Sequence, residues 1–189
     1  VMWQLSESID GMAEACEEFG IPVVGGNVSL YNESSGENIS PTPVVGIVGK
    51  IEELYRKPPG FELLEGNRLV LLGPSDIGLG GSLWSALHGF DHGELIDVDF
   101  EIHKVLADLV ISLVFDGTID GIHDLSAGGL GVALAEMVAK SKFGISVARI
   151  PDTLSLFGEG PSRVLVSINP ENVNDLLSRA ESVNIPTTR

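Results

Sequence analysis

The spacing of apolar positions predicts a helix near the start of the chain. Ser6 is a suitable N-terminal cap, while Gly20 and Pro22 are suited to end the helix. The β-branched residues 23–24 then predict the end of a strand that stops at Gly25 and Gly26, and the apolar run at residues 43–49 predicts a buried strand. The side chains that recur at the helical period are Ile9, Met12, Ala13, Cys16 and Phe19.

Strand and helix patterns alternate in the rest of the chain. Helical periodicity predicts a helix ending at Leu87 and helices at residues 102–115, 130–139 and 173–183. Runs of β-branched and aliphatic residues predict strands at residues 68–72, 119–122, 145–148 and 164–168. This alternation predicts an α+β or α/β fold.

A connection at residues 56–60 separates the two patterns. Its two prolines and one glycine disfavour both a helix and a strand ladder. We therefore predict one domain at residues 1–58 and a second at residues 59–189. The first has too few strands to bury both faces of a sheet, so we expect the sequence to be a piece of a longer chain.

The composition limits the classes of partner. The 189 residues include 27 acidic and 11 basic side chains, for a net charge of −16. Such a field repels nucleic acids and anionic membranes. No apolar run approaches the length of a membrane span, and the single cysteine, Cys16, cannot form an internal disulfide. We expect a cytoplasmic protein without a nucleic-acid or membrane partner.

The segment Gly25-Gly26-Asn27-Val28-Ser29 has two interpretations of equal weight. It is either a tight turn with Asn27 in a left-handed conformation, or a loop that contacts phosphate and metal. In the second, the Gly26 N–H is open to a phosphate, the Asn27 carboxamide oxygen suits Mg²⁺, and Ser29 contacts a polar substrate. Because no Lys or Arg precedes Lys50, a phosphate here would need backbone N–H groups or a divalent cation.

A second candidate is the loop at residues 123–130. Asp124 could hold a metal or a ribose hydroxyl in front of the Gly-Gly helix start. Helix capping by Asp124 or Ser126 is the simpler interpretation, and the spacing favours it. His123 next to Asp124 does not suggest a catalytic dyad, because adjacent side chains diverge in direction.

A third candidate is the segment at residues 157–163, which could place Glu159, Ser162 and Arg163 in a cleft. Glu-Gly-Pro segments are more commonly surface turns, and that is the favoured interpretation.

Taken together, the motifs closely resemble the large synthetase subunit of the phosphoribosylformylglycinamidine synthase family of purine biosynthesis. The resemblance covers essentially the whole chain. Besides the stretch at residues 7–49, it rests on L-G-G-S at 79–82, H-D-L-S-A-G-G-L at 123–130, A-L-A-E-M at 133–137 and L-F-G-E-G-P-S-R at 156–163.

The resemblance implies an ATP-dependent ligase. In this family the amide oxygen of formylglycinamide ribonucleotide is phosphorylated, and ammonia from a glutaminase partner displaces the phosphate to give the amidine. It also implies a small accessory subunit and two tandem aminoimidazole-ribonucleotide-synthetase-like units. This chain would be the C-terminal part of a barrel-forming N-domain, followed by an α/β C-domain, in the second unit.

The resemblance also assigns site residues, with ATP and Mg²⁺ as cofactors. It makes Gly26 an ATP contact, Asn27 a Mg²⁺ ligand and Ser29 a substrate contact. The catalytic histidine is expected in the first half of the synthetase, so no catalytic residue is assigned here. The family commonly has an acid where this chain has Ala127, and we assign no catalysis to the loops around it, including Asp124 and Glu159.

Two alternatives remain. The chain could be a structural half that binds nucleotide and docks to the first half without its own catalysis. It could also belong to another ATP-dependent enzyme of the same superfamily, such as aminoimidazole ribonucleotide synthetase, selenophosphate synthetase or thiamine-phosphate kinase. The block S-L-Y-N-E at residues 29–33 argues against this last group.

Overall fold

The chain divides into two compact units, residues 1–54 and 55–189. The computed structural model describes residues 2–29, 33–39, 42–90, 92–148 and 150–189. The domain boundary predicted after residue 58 stays a prediction. Among the described residues, no helix is long and apolar enough to cross a membrane.

The first unit begins with helix α1, Met2–Phe19. The predicted helix is confirmed, but it starts before Ser6, because residues 2–5 contain no glycine or proline that would stop it. Gly20 ends it with a φ of +62°, and the N–H of Ile21 donates to the carbonyl of Cys16 at 2.9 Å.

A short hairpin follows in the polar segment between the two apolar runs. Strand β1, Glu33–Ser34, pairs antiparallel with β2, Glu37–Asn38. Ser35 and Gly36 both have positive φ, 56° and 84°, which is the geometry of a type I′ hairpin turn.

The predicted strands at residues 23–24 and 43–49 are not strands in the structure. A strand needs a hydrogen-bonded neighbour, and within the described residues neither segment has one. Their apolar side chains are therefore exposed rather than buried, as Val24, Val44 and Val48 show with 96%, 96% and 99% exposure.

The second unit contains a four-stranded sheet in the order β4-β5-β3-β6, antiparallel throughout. The predictions for β3 and β5 are confirmed, and β4 begins two residues later than predicted. Residues 145–148 do not form a strand, and Ile145 packs against a core cluster. The strands are β3, Arg68–Leu72, β4, Gly121–Asp124, β5, Val164–Ile168, and β6, Thr187–Thr188.

The described residues of the second unit form five α-helices. The four predicted helices are confirmed, and α5, which Asp152 caps, is not anticipated by the sequence pattern. They are α2, Leu83–Leu87, α3, Phe100–Asp116, α4, Gly129–Lys140, α5, Thr153–Phe157, and α6, Val173–Ser182, which follows a 3₁₀ turn at Pro170–Asn172.

Hydrophobic cores lie on both faces of this sheet. Side chains of a strand alternate between faces, so Val70 packs with α3 and α6 while Leu69 packs with α4. The first core includes Leu72, Leu106, Leu109, Leu113, Val166, Ile168, Leu176 and Ala180. The second includes Leu63, Leu125, Ala133, Met137 and Leu165. Helices on both faces of an antiparallel sheet give the predicted α+β class.

Candidate functional site

The predicted phosphate loop at residues 25–29 is an exposed segment of the first unit. None of Gly25, Gly26 and Asn27 has a positive φ. The predicted tight turn with a left-handed Asn27 is therefore not formed. Nothing lies within 4 Å of the Cβ position of either glycine. The main chain is therefore open on that side to an approaching group.

The structure brings two of the three predicted site residues into contact. The Nδ2 of Asn27 donates to the hydroxyl of Ser29 at 3.3 Å. The carboxamide oxygen of Asn27 has no hydrogen bond within the described residues, and a neutral oxygen of this kind fits Mg²⁺. Gly26 precedes this pair directly.

Asn27 offers only one metal ligand. In the part of the chain that the structure describes, no three His, Cys, Asp or Glu side chains form a group that could hold a metal. Mg²⁺ commonly takes one or two protein ligands and completes its octahedron with phosphate and water oxygens. The donor set at residues 25–29 is thus suited to a metal that arrives with a phosphorylated ligand.

The other two predicted motifs meet in the second unit. Strands β3 and β4 end, and β5 begins, at the same edge of the sheet, so the loops at residues 73–82, 125–128 and 158–163 converge there. Their backbones touch: a Cβ at Gly73 would overlap the carbonyl of Ser162, and one at Gly129 would lie 2.5 Å from the carbonyl of Gly158. Glycine is required for this approach.

Glu159 ties these loops together. Its Oε1 accepts hydrogen bonds from the backbone N–H groups of Leu83 and Gly128, each at 2.8 Å. Its own backbone exchanges two hydrogen bonds of 2.9 Å with Gly78. The segment at residues 157–163 is therefore an internal connection, and its interpretation as a surface turn is wrong.

The cap of α4 also differs from the prediction. The helix starts after Gly128, whose φ is +84° and which has no side chain to cap it. Neither Asp124 nor Ser126 caps the helix through its side chain. The backbone N–H of Gly128 instead donates to the carboxylate of Glu159, which is 31 residues away in the sequence. A carboxylate in this position is stabilised by the positive end of the helix dipole.

The three side chains predicted to share a cleft have separate surroundings. Glu159 contacts the helix starts, and the Oγ of Ser162 lies 3.0 Å from Nδ1 of His103 on α3. Arg163 is 6% exposed, and its Nε and Nη1 have no hydrogen-bond partner among the described residues. Burial lowers the pKa of Arg163 from its usual value. These residues do not form one catalytic cluster.

His123 is enclosed by groups that the sequence pattern did not identify together. The ring is 7% exposed and stacks on Phe61 with centroids 4.0 Å apart. Its Nε2 lies 2.8 Å from Glu136 and its Nδ1 lies 3.3 Å from Asp124. The expectation that Asp124 diverges from His123 is therefore wrong, since its exposed carboxylate folds back to the ring. The sequence does contain a signal for the second partner of His123, because Glu136 is the only acidic residue in the mainly apolar helix α4.

Two family models match the chain in succession. The model for the AIR synthase related protein, N-terminal domain, matches residues 1–51. The model for the AIR synthase related protein, C-terminal domain, matches residues 65–188.

Curated relatives show the same similarity. The phosphoribosylformylglycinamidine synthase subunit PurL of Renibacterium salmoninarum is 42% identical over 176 residues, which are 89% of this chain and 23% of the relative. The PurL subunit of Symbiobacterium thermophilum is 41% identical over 197 residues, covering 98% of this chain and 25% of the relative. The chain thus spans about a quarter of the length of these relatives.

Solved structures share the fold. PurL from Thermotoga maritima complexed with FGAR has a TM-score of 0.56 at 20% identity, over 69% of this chain and 24% of that one. The same protein complexed with ATP has a TM-score of 0.51 at 21% identity, over 67% and 21%. A HypE–HypF complex has a TM-score of 0.59 at 16% identity, over 96% and 62%. The chain therefore belongs to the family of AIR synthase related proteins, with residues 1–51 in the N-terminal and 65–188 in the C-terminal domain.

Proposed function

We propose that this chain is part of a phosphoribosylformylglycinamidine synthase, an ATP-dependent ligase of purine biosynthesis. The observation that carries the proposal is the identity of 36–42% to PurL subunits over 89–100% of the chain. The reaction converts formylglycinamide ribonucleotide and ammonia, released from glutamine, to the amidine. The first half of the synthetase, a glutaminase subunit and a small accessory subunit are the proposed partners.

The loop at residues 25–29 is the proposed contribution of this chain to the site. The Gly26 N–H contacts ATP, the Asn27 oxygen is a ligand of Mg²⁺, and Ser29 contacts the substrate. The hydrogen bond between Asn27 and Ser29 supports this arrangement, because it fixes the amide nitrogen away from the metal and leaves the oxygen to it. Mg²⁺, when bound, neutralises the charge on the phosphates.

The chemistry is one of positioning. The γ-phosphoryl group passes from ATP to the glycinamide carbonyl oxygen of the substrate and ADP leaves. The nitrogen of ammonia then forms a bond to the activated carbon, inorganic phosphate leaves with that oxygen, and a proton is released to solvent. In this proposal the loop at residues 25–29 positions the reactants and contains no general acid or base. This loop is therefore only one part of the complete site.

The test is the substrate dependence of ADP formation by the full-length protein that contains this chain. With ammonium chloride as nitrogen donor, ADP should form only when formylglycinamide ribonucleotide is present. ADP formation that instead requires formylglycinamidine ribonucleotide, selenide or thiamine phosphate would assign the protein to another enzyme of the superfamily.

A structural docking role is the second candidate function. No residue of α1 is buried, and Val24, Val44 and Val48 are almost fully exposed. Apolar surface of this extent in a soluble protein marks an interface, here with the first half of the synthetase. Size-exclusion chromatography of the 189-residue chain tests the docking role. An uncovered interface should make the chain self-associate. A monomer that binds no hydrophobic dye would count against the docking role.

A further inference from the structure

An exposed apolar surface lies on α2 and on the loop that follows it. Leu87 is 75% exposed, Phe90 is 48% exposed, and Leu83 is also exposed. Leu83 and Trp84 precede Leu87 by four and three residues, so the three side chains adjoin on the helix surface. The ring of Phe90 stacks on Trp84 with centroids 5.8 Å apart, which joins the loop to the helix. These four residues form the apolar platform.

The apolar platform is held in one arrangement by the contacts around it. The ring of His88 stacks on Trp84 with centroids 4.1 Å apart, and its Nδ1 lies 2.8 Å from the carbonyl oxygen of Trp84. The loop after the platform packs on the segment before α2, since a Cβ at Gly93 would lie 2.7 Å from the Cα of Gly80. A surface that is already ordered loses little conformational entropy when a partner binds.

The sequence around the apolar platform carries only negative formal charge. Between Arg68 and Lys104 the chain has six acidic residues and no lysine or arginine. Of these acids, Glu94 and Asp97 are exposed, and neither has an ion pair within the described residues. A Cβ at Gly80 would overlap the carbonyl of Glu94, so this acid lies beside the segment that leads into α2. The complementary partner has an apolar centre and basic flanks.

This charge disfavours two other occupants of the apolar platform. A second copy of the chain would bring the same acidic stretch and a net charge of −16 to the contact, and like charges repel. An anionic membrane surface is repelled for the same reason. A partner protein that places basic residues around an apolar anchor has the matching charge.

The structure of the apolar platform favours a helix as the bound element. The platform is built from side chains of a short helix and a loop, and none of its four residues belongs to a strand edge that could pair with an extended peptide. A helix presents apolar anchors at spacings of three and four residues, and its long basic side chains reach outward beside them.

We propose that the apolar platform is a docking surface for a basic amphipathic helix of a partner protein. Leu87 and Phe90 contact the apolar face of that helix, and Glu94 and Asp97 contact its lysine or arginine side chains. The proposal does not depend on the ligase chemistry, whose proposed residues lie in the other unit at 25–29.

The test measures peptide binding to the full-length protein that contains this chain. The probe is a fluorescein-labelled helical peptide of about 18 residues, with leucine on one face and lysine on the other, and fluorescence anisotropy follows its binding. The affinity for the wild type should fall about tenfold or more between about 50 and about 300 mM sodium chloride. A peptide of the same composition in scrambled order, and one with glutamate in place of lysine, should each bind at least about tenfold more weakly.

Variants locate the binding surface. Leu87→Ser and Phe90→Ser should each weaken binding by about tenfold or more, because each removes an apolar anchor. The double variant Glu94→Lys with Asp97→Lys should also weaken binding and should reduce its dependence on salt. Ile111→Ser, at a 63% exposed residue of α3, is the matched control and should bind as the wild type does. Circular dichroism checks the fold of each variant, and if Phe90→Ser fails to fold, the more exposed Leu87 carries the test.

The outcomes are distinct. Binding that is lost in Leu87→Ser and kept in Ile111→Ser supports the proposal. Equal binding of the ordered and scrambled peptides, unchanged binding by Leu87→Ser, or no binding by the wild type overturns it. A wild-type dimer that Leu87→Ser converts to a monomer in size-exclusion chromatography would assign the apolar platform to a second copy, and that result also overturns the proposal.

Discussion

The carboxylate of Glu159 lies 2.8 Å from the backbone N–H of Gly128, and so supplies the cap that α4 lacks in its own sequence. The same oxygen accepts from Leu83, the first residue of α2. One side chain thereby fixes two helix starts at the loop edge of the sheet. This contact explains how three glycine-containing motifs, far apart in sequence, form one piece of structure.

Replacing Glu159 by alanine should destabilise the second unit. The Gly128 N–H loses a charged acceptor in a partly buried place and the Leu83 N–H loses it in an exposed one, so we expect a loss of about 1.5 to 3 kcal/mol in the free energy of unfolding. Urea unfolding followed by circular dichroism measures it. Glu171→Ala, which removes an exposed acid near α6, is the matched control and should change stability by less than about 0.5 kcal/mol. Equal effects of the two variants would contradict the capping role.

Gly129 should not tolerate a side chain. Its φ is +59°, and an added Cβ would lie 2.5 Å from the carbonyl of Gly158. Gly129→Ala should cost about 2 to 4 kcal/mol, from the left-handed backbone and the forced separation of the loops. Gly144→Ala has open space and no positive φ, so it should be neutral within about 0.5 kcal/mol. Comparison of the two denaturation midpoints checks the close approach of the loops.

Glu136 should stabilise the fold through His123. Glu136→Ala leaves the Nε2 of a buried ring without its partner at 2.8 Å, and we expect a loss of about 1 to 2 kcal/mol. Glu136→Gln keeps a hydrogen-bond acceptor and should recover most of it. Thermal unfolding of both variants is the measurement. If Glu136→Ala and Glu136→Gln both unfold at the same temperature as the wild type, the contact between Glu136 and His123 does not contribute to stability.

Asp152 should make the stability depend on pH in acid. Hydrogen bonds from the N–H and then the hydroxyl of Ser155 lower the pKa of Asp152 below its usual 3.8. Because the folded carboxyl binds its proton more weakly, its contribution is present above pH 3.8 and is lost as the pH falls through the folded pKa. The urea midpoints of wild type and Asp152→Ala should therefore differ at pH 6 and converge in acid. A constant difference would contradict the assignment.

Elements that bury a periodic apolar face were predictable from the sequence. Leu106, Leu109 and Leu113 recur at helical spacing, and all three are buried in α3. The predicted bounds of β3 and β5 agree completely with the observed bounds, because the apolar runs of these two strands lie in the centre of the sheet. The run at residues 43–49 is also rich in β-branched apolar residues, but it contains one proline and two glycines and lacks a neighbouring strand within the described residues. Hydrophobicity alone therefore did not decide its structure.

Contacts between distant loops were not predictable from local patterns. Glu159 meets Gly128 and Leu83 across separations of 31 and 76 residues. A segment's own spacing carries no information on which other loop it reaches. The roles of Gly26, Asn27 and Ser29 likewise came from the family resemblance, and the structure adds the contact between Asn27 and Ser29. These roles stay predictions.

The magnesium dependence of ADP formation by the full-length protein tests the proposed Asn27 site most directly. Initial rates with formylglycinamide ribonucleotide are measured against Mg²⁺ for wild type, Asn27→Ala and Asn38→Ala, the last removing an exposed asparagine of β2 as a control. The proposal predicts that Asn27→Ala loses at least about tenfold in rate at limiting Mg²⁺ and needs more Mg²⁺ for half-maximal rate. Asn38→Ala should follow the wild type. Superimposable curves for Asn27→Ala and the wild type would contradict the proposed site.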